Sequence, residues 1–494
     1  KVPWPPVPLA PPVFERLRQG EGVWQPAVPE FAQSVLDREL PEAPTAVYRT
    51  YLRTDRTRPY VRVHLFAIDT RQLELHMVGG LEDPQSTTGA RGTGRLPRDP
   101  ELLRLVLLAF NGAFKTEHGA YGMMVERTVL LPPQDGAATV ATFEDGRLAM
   151  GNWPAGAPVP QEMVSLRQNM DPLVEDGVVN PRKRYLWGFT LGEDITNMNT
   201  IRSGICLTGA GTLVYAWGED LTPRTLGVGM DAAGCVYGMH LDMNPYHTAF
   251  VYYGFPEDVN PKHPVFEAEV ALSEMRYSPS RYVNGAPKDF FFMTVRRQGP
   301  GPGWSKEGLA QPAPAFVGAV FLKSEGDCEL MAVDLLRTAL ETGAGSGDDL
   351  LLADVSLGPS PEESAATPAA DALELADGVA VTGRRLIADG VAEPADPGAL
   401  VVAVGRGTGN WLLVGRGPAD ELGRALVAAG VTAAVCRPAS GAEPWLAVRR
   451  ESAMTDFAGR PRSEAILRTS GLRVLARPVP LGGRRLELPP ALPR

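Results

Sequence analysis

IRSGICLTGAGTLVYAWGEDLTPRTLGVGMDAAGCVYGMHLDMNP, residues Ile201 to Pro245, is the stretch that decides the fold. Two β-type runs, SGICLT and LVYAW, flank the Gly209-Ala210-Gly211 turn, which is the sequence form of a hairpin. Thr222-Pro223 then opens a short helix, Gly234 stops it, and VYGMHLDMN returns as a strand. Hairpin, helix and returning strand in one run predict an α/β class in the mixed α+β sense, with mixed sheets against packed helices.

Working upstream, YVRVHLFAID (Tyr60 to Asp69) alternates as a half-buried strand and is followed by a second run, LELHMV. The apolar LRLVLLAF runs directly into NGAF (Asn111 to Phe114), a buried strand ending in a polar turn. ATVATFEDGRLAMGNW is a second hairpin, turning at Asp145-Gly146. DFFFMTV (Asp289 to Val295) reads as a core strand, with carbohydrate stacking on its rings as the alternative.

Downstream, ALVVAVGRGTGNWLLVGRGPADELGRALVAAGVTAAVC (Ala399 to Cys436) repeats the order strand, Gly-rich turn, strand, helix, strand. Gly407 and Gly409 stand where Gly209 and Gly211 stood, and Ala428-Ala429-Gly430 echoes Ala232-Ala233-Gly234. The reading is a degenerate internal duplication, giving two related units. Arg202 falls opposite Leu400 and Asp242 opposite Pro438, so the second copy is expected to be catalytically silent. The expected organisation is a Pro-rich segment over 1–45, a first domain over 46–300, and connecting strands over 301–355. A linker over 356–371, carrying LGPSPEESAATPAAD, and a C-terminal unit over 372–494 complete it.

Composition narrows the function classes. The formal charge is -10 with basic residues scattered, which leaves no footprint for a nucleic-acid backbone. No apolar run is long enough to cross a bilayer as a helix. The Pro-rich opening without Met fits a mature exported chain, and a fragment would begin the same way; the expected location is secreted, periplasmic or cell-surface. Cys206, Cys235, Cys328 and Cys436 lie too far apart for a structural zinc site, leaving buried free thiols or a Cys206–Cys235 bridge.

Four stretches carry a resemblance: NGAFKTEHGAYGMMV from Asn111, SLRQNMDPLVEDG from Ser165, the strand opening at Ile201-Arg202, and AAGCVYGMHLDMNP from Ala232. In this order they resemble the phosphodiester glycosidase family, typified by N-acetylglucosamine-1-phosphodiester alpha-N-acetylglucosaminidase. The resemblance implies a pocket holding Asn111, Arg202 and Asp242 as catalytic residues. It implies Lys115, His118, Arg167, Asn169, Asn244 and His247 as substrate-binding residues, and a carbohydrate or sugar-phosphate ligand. The chain departs from the family's glycine-rich turn after Asp242, carrying Met243-Asn244-Pro245-Tyr246-His247 instead.

Cleaving an anomeric carbon from a phosphate oxygen needs a carboxylate and a cation on opposite sides of the breaking bond. Arg202 suits the phosphate, since a planar guanidinium can hold two oxygens, and Asp242 suits a base or nucleophile. Asn111 would hold a sugar hydroxyl. The competing readings are a salt-bridge arginine and an Asx turn, and the binding alternative is a carbohydrate-binding or envelope structural protein that retains the fold. His118, His240 and His247 with Asp242 or Glu117 could hold a divalent metal, yet their spacing matches no metal motif, and no cofactor is expected. GRGTGNW (Gly405 to Trp411) runs into the strand-like WLLVG, not a helix, so it is not a phosphate cradle.

Overall fold

The computed structural model describes residues 4–39, 44–144, 146–182 and 199–296. Beyond 296 it describes the strands named below together with 380–395, 398–407, 411–438 and 483–488. Of the expected linker over 356–371, residues 356–370 lie outside the described residues and Asp371 opens the strand Asp371–Glu374. The architecture is mostly sheet with few helices, so the expected α+β balance shifts towards β.

The chain divides into two compact units, one of residues 1–296 with 480–494, the other of residues 297–479. The sequence expectation carried the C-terminal unit to residue 494, whereas the contacts return the last residues to the first unit. The reason is a strand: Gly483–Arg485 pairs in parallel with Leu148–Met150.

In the first unit an eight-stranded sheet runs in the order Gln25–Pro26, Val47–Leu52, Val63–Ile68, Leu213–Leu221, Thr200–Thr208, Cys235–His240, Val174–Glu175, Val178–Val179. Both of its faces are covered, and the two-residue side-chain period sorts each strand between two cores. Phe66, Ile205, Leu207, Tyr215 and Trp217 enter one cluster, while Leu65, Ala67, Cys206, Val214 and Ala216 enter another. The first cluster packs on a five-stranded sheet, Glu267–Val270, Phe250–Gly254, Val106–Asn111, Phe290–Val295, Leu73–Val78. Rings interlock there: Phe66 and Phe250 stack at 4.7 Å, and Phe110 meets Tyr215 at 5.3 Å. DFFFMTV is a core strand, buried at every position from Phe290 to Val295.

The second cluster is covered by the helix Pro223–Ala232, which buries Leu226 and Met230. Its start obeys the sequence signal: Thr222 Oγ1 accepts from Thr225 N at 3.1 Å, and Thr225 Oγ1 accepts from Thr222 N at 2.9 Å. Gly234, at φ 80°, takes the left-handed conformation that ends the helix. Cys206 and Cys235 form a disulfide across neighbouring strands, while Cys328 and Cys436 are buried thiols outside any disulfide.

The second unit's large sheet follows the order of the first over seven strands and departs at the eighth, where Asp371–Glu374 precedes its neighbour in the chain while Val178–Val179 follows its own. Trp304–Ser305, Ala319–Ser324, Glu329–Asp334, Trp411–Pro418, Leu400–Gly407, Val431–Pro438 and Ala380–Ala388 lie side by side. Its smaller sheet, Thr338–Thr342, Leu472–Ala476, Leu350–Ala353, Leu446–Arg450, Ala453–Asp456, Pro461–Arg462, follows the five-stranded sheet of the first unit read backwards, with one strand added. Each large sheet has a register break at the same place, between Leu207 and Thr208 in one and between Arg406 and Gly407 in the other. Counted from these breaks, Arg202 corresponds to Val401, one place from the Leu400 read off the sequence. Asp242 corresponds to Pro438, as read.

Candidate functional site

The site grows from three strand ends of the first unit. Asn111 ends the strand Val106–Asn111, Asp242 follows the end of Cys235–His240, and Lys288-Asp289 precedes Phe290–Val295. Register brings them together, because Phe290 pairs with Asn111 and Asp242 N donates to Gly112 O at 3.0 Å. Gly112 is demanded by this closeness. A Cβ at Gly112 would fall on the Asp289 carboxylate, 2.5 Å from its carbon.

Asp242 is 5% exposed, and both of its carboxylate oxygens are engaged. Oδ1 accepts from Met243 N at 2.7 Å and Asn244 N at 3.2 Å, so the Asx turn anticipated as a competitor is present. Oδ2 meets Lys288 Nζ in a buried ion pair. Sequence reasoning missed Lys288, which stands in the unremarked stretch APKD ahead of the aromatic run.

Asn111 lies fully inside this framework. Its Nδ2 donates to Gly112 O at 3.1 Å and Ser203 Oγ at 2.9 Å; its Oδ1 accepts from Tyr215 OH at 2.8 Å and Ala249 N at 3.2 Å. A carboxamide has two donors and two acceptor positions, so protein occupies all four. Ser203 Oγ in turn donates to Asp242 O at 2.6 Å, which links Asn111 to Asp242 through one hydroxyl.

Arg167 is similarly committed. Nε and Nη2 donate to Asp289 at 2.8 and 3.2 Å, Nη1 to Tyr121 O and Gln168 O at 3.0 Å each, and Nη2 also to Phe114 O at 2.9 Å. All five N–H groups have partners. Asn169 Nδ2 donates to His240 O at 2.7 Å, and its Oδ1 is a buried acceptor with no hydrogen bond to a described residue.

Arg202 is 1% exposed. Its Nε donates to Leu221 O at 2.9 Å, and its Nη1 lies 3.2 Å from His240 Nε2 and 3.8 Å from Met243 Sδ. Burial lowers the Arg202 guanidinium to about 10, which still leaves it charged at neutral pH. Burial first, and Arg202 second, push the His240 imidazole down to about 3. A neutral His240 accepting from Arg202 at Nε2 carries its proton on Nδ1 and donates it to Leu241 O, 2.7 Å away.

The remaining candidates are more exposed. Asn244 Oδ1 accepts from Tyr246 N at 2.9 Å, shaping the turn. His247 is half-buried; burial lowers its imidazole, Asp242 opposes this, and Lys288, Arg281 and Lys115 reinforce it. Lys115 Nζ lies 3.5 Å and His118 Nε2 3.7 Å from Glu117 Oε1. His118 also stands edge-on to Phe114, and Phe114 in turn packs against His240 at 5.6 Å. The structure thus joins Asp242 to Lys288, sets Asn244 in the turn after Asp242, places Lys115 and Lys288 within electrostatic reach of His247, and buries Asn111, Arg167, Asn169 and Arg202.

Among the described residues, no three His, Cys, Asp or Glu side chains gather as a metal-binding set. No helix of the described residues is long and apolar enough to cross a membrane. Away from these residues, a groove of about 410 Å³ runs beside the strand Gly483–Arg485, bordered by Phe143, Arg147, Glu162 and Arg484.

No protein-family model matches this chain, and no curated protein sequence matches it. Among solved structures it is similar to the zebrafish N-acetylglucosamine-1-phosphodiester alpha-N-acetylglucosaminidase catalytic domain, auto-inhibited by its pro-peptide. That similarity has a TM-score of 0.34 and 13% identity over 52% of this chain and 85% of that one. It is also similar to a hypothetical protein from Synechocystis, with a TM-score of 0.29 and 11% identity over 52% of this chain and 65% of the other.

Proposed function

We propose that the first unit is a hydrolase that cleaves a sugar-1-phosphodiester, or a related glycosidic linkage of a surface polysaccharide, with Asp242 as base or nucleophile. The observation that carries this reading is the Asp242–Lys288 pair at converging strand ends, a fixed carboxylate beside a fixed cation. In the reaction the bond from the anomeric carbon to the phosphate oxygen breaks, and its electron pair leaves on the phosphate. Asp242 either forms an ester to that carbon, which water then hydrolyses, or takes the proton of the attacking water. Phosphate is a good leaving group, so a strong general acid is dispensable.

In this scheme Asn111 and Ser203 hold the Asp242 backbone in place instead of gripping a sugar hydroxyl. Arg202 supplies positive potential from beneath the turn. The test is hydrolysis of a chromogenic sugar-1-phosphodiester panel by the wild-type chain and its Asp242→Asn variant. Turnover by the wild type that collapses in a folded variant supports the reading, and no turnover across the panel counts against it.

A second reading, a carbohydrate-binding or envelope structural protein, is favoured by the turn after Asp242. That turn leaves Tyr246 61% exposed, as a stacking platform would be. Glycan binding that survives Asp242→Asn without any turnover selects this reading.

The Cys206–Cys235 bond is the observation favouring an oxidising location, secreted, periplasmic or cell-surface. We further propose that the second unit is a duplicate of the first that has lost its chemistry. The strand order that the large sheets share over seven strands supports this, and Val401 and Pro438 stand where the arginine and the aspartate would be.

A further inference from the structure

We infer that Lys288 is the residue that binds the substrate's phosphate, the part that the residue pattern assigns to Arg202. This rests on the hydrolase reading for its substrate class and on donor bookkeeping for its residue. A phosphate oxygen near Asp242 must be met by a cation with N–H groups left to give. Arg167 has none, since all five are taken by Asp289 and backbone carbonyls. Arg202 turns Nε to Leu221 O and Nη1 to His240 and Met243, below the Asp242 turn.

Lys288 differs from Arg167 in having donors left, and from Arg202 in touching the Asp242 carboxylate directly. An ammonium carries three donors, and Asp242 Oδ2 is its one partner among the described residues. Its backbone is anchored on either side: Pro287 O accepts from Glu82 N and Asp83 N at 2.9 Å each, and Asp289 O accepts from Gly112 N at 3.0 Å. A lysine fixed in this way is ordered before ligand arrives, which spares the binding cost of immobilising it.

The surroundings favour an anion. Lys115, Arg281 and Lys288 all act on His247, against the single carboxylate of Asp242. Glu117 tempers Lys115 from 3.5 Å, and Arg281 Nη1 is held by Tyr246 O at 3.0 Å. Lys288 therefore separates the Asp242 carboxylate from an incoming phosphate and offers its remaining N–H groups to it.

The experiment is calorimetric titration of inorganic phosphate into the full chain and into its Lys288→Met, Lys288→Gln and Arg202→Lys variants, each checked for a cooperative thermal transition. The expected result is binding by wild type, weakened about ten-fold or more in both Lys288 variants, the loss of one charge-assisted hydrogen bond. Arg202→Lys keeps a positive charge beside the Asp242 turn and should weaken phosphate binding less than either Lys288 variant does. Lys288→Gln keeps a donor for Asp242, so it tests the charge if Lys288→Met fails to fold. Unchanged affinity in a folded Lys288 variant, or no binding by wild type, overturns the assignment. Phosphate binding that depends on Lys288 without any hydrolysis of the panel keeps the assignment and removes the hydrolase reading. Hydrolysis that depends on Asp242, with phosphate affinity indifferent to Lys288, does the reverse.

Discussion

Arg167 and Asp289, 122 positions apart in sequence, meet in a buried two-oxygen ion pair, Nε to Oδ2 at 2.8 Å and Nη2 to Oδ1 at 3.2 Å. Both side chains are 1% exposed, and Asp289 Oδ2 also accepts from Ala113 N at 3.0 Å, so the pair fastens the Gly112 turn to the strand beneath it. Removing one partner strands a buried charge. Asp289→Asn or Arg167→Met should each lower unfolding free energy by about 3–5 kcal/mol, read from urea midpoints, while the double variant Arg167→Met/Asp289→Leu should recover part of it. Equal losses in single and double variants would show that the pair is not the stabilising unit.

How much of this was legible beforehand divides by range. The hairpin and helix over 201–245 were readable because their signals are local: a Gly-rich turn, a Thr-Pro start and a glycine stop. Asn111, Arg202 and Asp242 were grouped by the family resemblance, and each lies at or near a strand end. Their jobs were not readable. Asn111 looks like a ligand group in sequence, and only the long-range pairing with Tyr215, Ser203 and Ala249 uses up its carboxamide. Lys288 carried no motif at all; it reaches Asp242 because Phe290 registers against Asn111, a pairing nothing in APKDFFF announces. The return of Gly483–Arg485 to the first unit was invisible for the same reason.

Asn111→Ala should test the structural role of that carboxamide. It removes the acceptor of Tyr215 OH and Ala249 N and the donor to Ser203, leaving buried groups unsatisfied. A loss of about 2–4 kcal/mol is expected from the unmet partners and the void. Asn111→Ala at wild-type stability but with reduced ligand affinity would return Asn111 to the ligand.

Acidification should weaken the first unit through imidazoles that burial holds down, His64, His76, His240 and His247. Burial, with Arg202 second, holds His240 down at about 3, and burial holds His64 down at about 4, against 6.5 for an ordinary histidine. Between those values the unfolded chain binds protons that the folded chain refuses, so stability is full above about pH 6.5 and falls as the pH drops towards 4. Each imidazole contributes a slope of about 1.4 kcal/mol per pH unit in that window. Urea midpoints from pH 7.5 to 4.5 should show this decline, and His240→Gln should flatten it by one imidazole's share. A variant with the wild-type slope would remove His240 from the account.

The terminal strand should matter to a unit that its sequence position does not adjoin. Gly483–Arg485 extends the six-stranded sheet in parallel with Leu148–Met150, and Leu486, 8% exposed, joins a cluster with Trp153, Met163 and Leu166. Arg485 lies over the Tyr237 ring at 4.5 Å and reaches Glu175 at 3.3 Å, gripping the eight-stranded sheet as well. One short segment thus ties two sheets of the first unit after the chain has passed through the second. Leu486→Ala should cost about 2 kcal/mol, and deleting residues 483–494 should cost more, since it also exposes the edge of Leu148–Asn152. Urea unfolding followed by tryptophan emission, with Trp153 and Trp217 both in the first unit, measures it. An unmoved midpoint after the deletion would mean the strand rests on the sheet without stabilising it; a lowered midpoint restored by adding the segment back as a separate peptide would show that the parallel pairing itself supplies the stability.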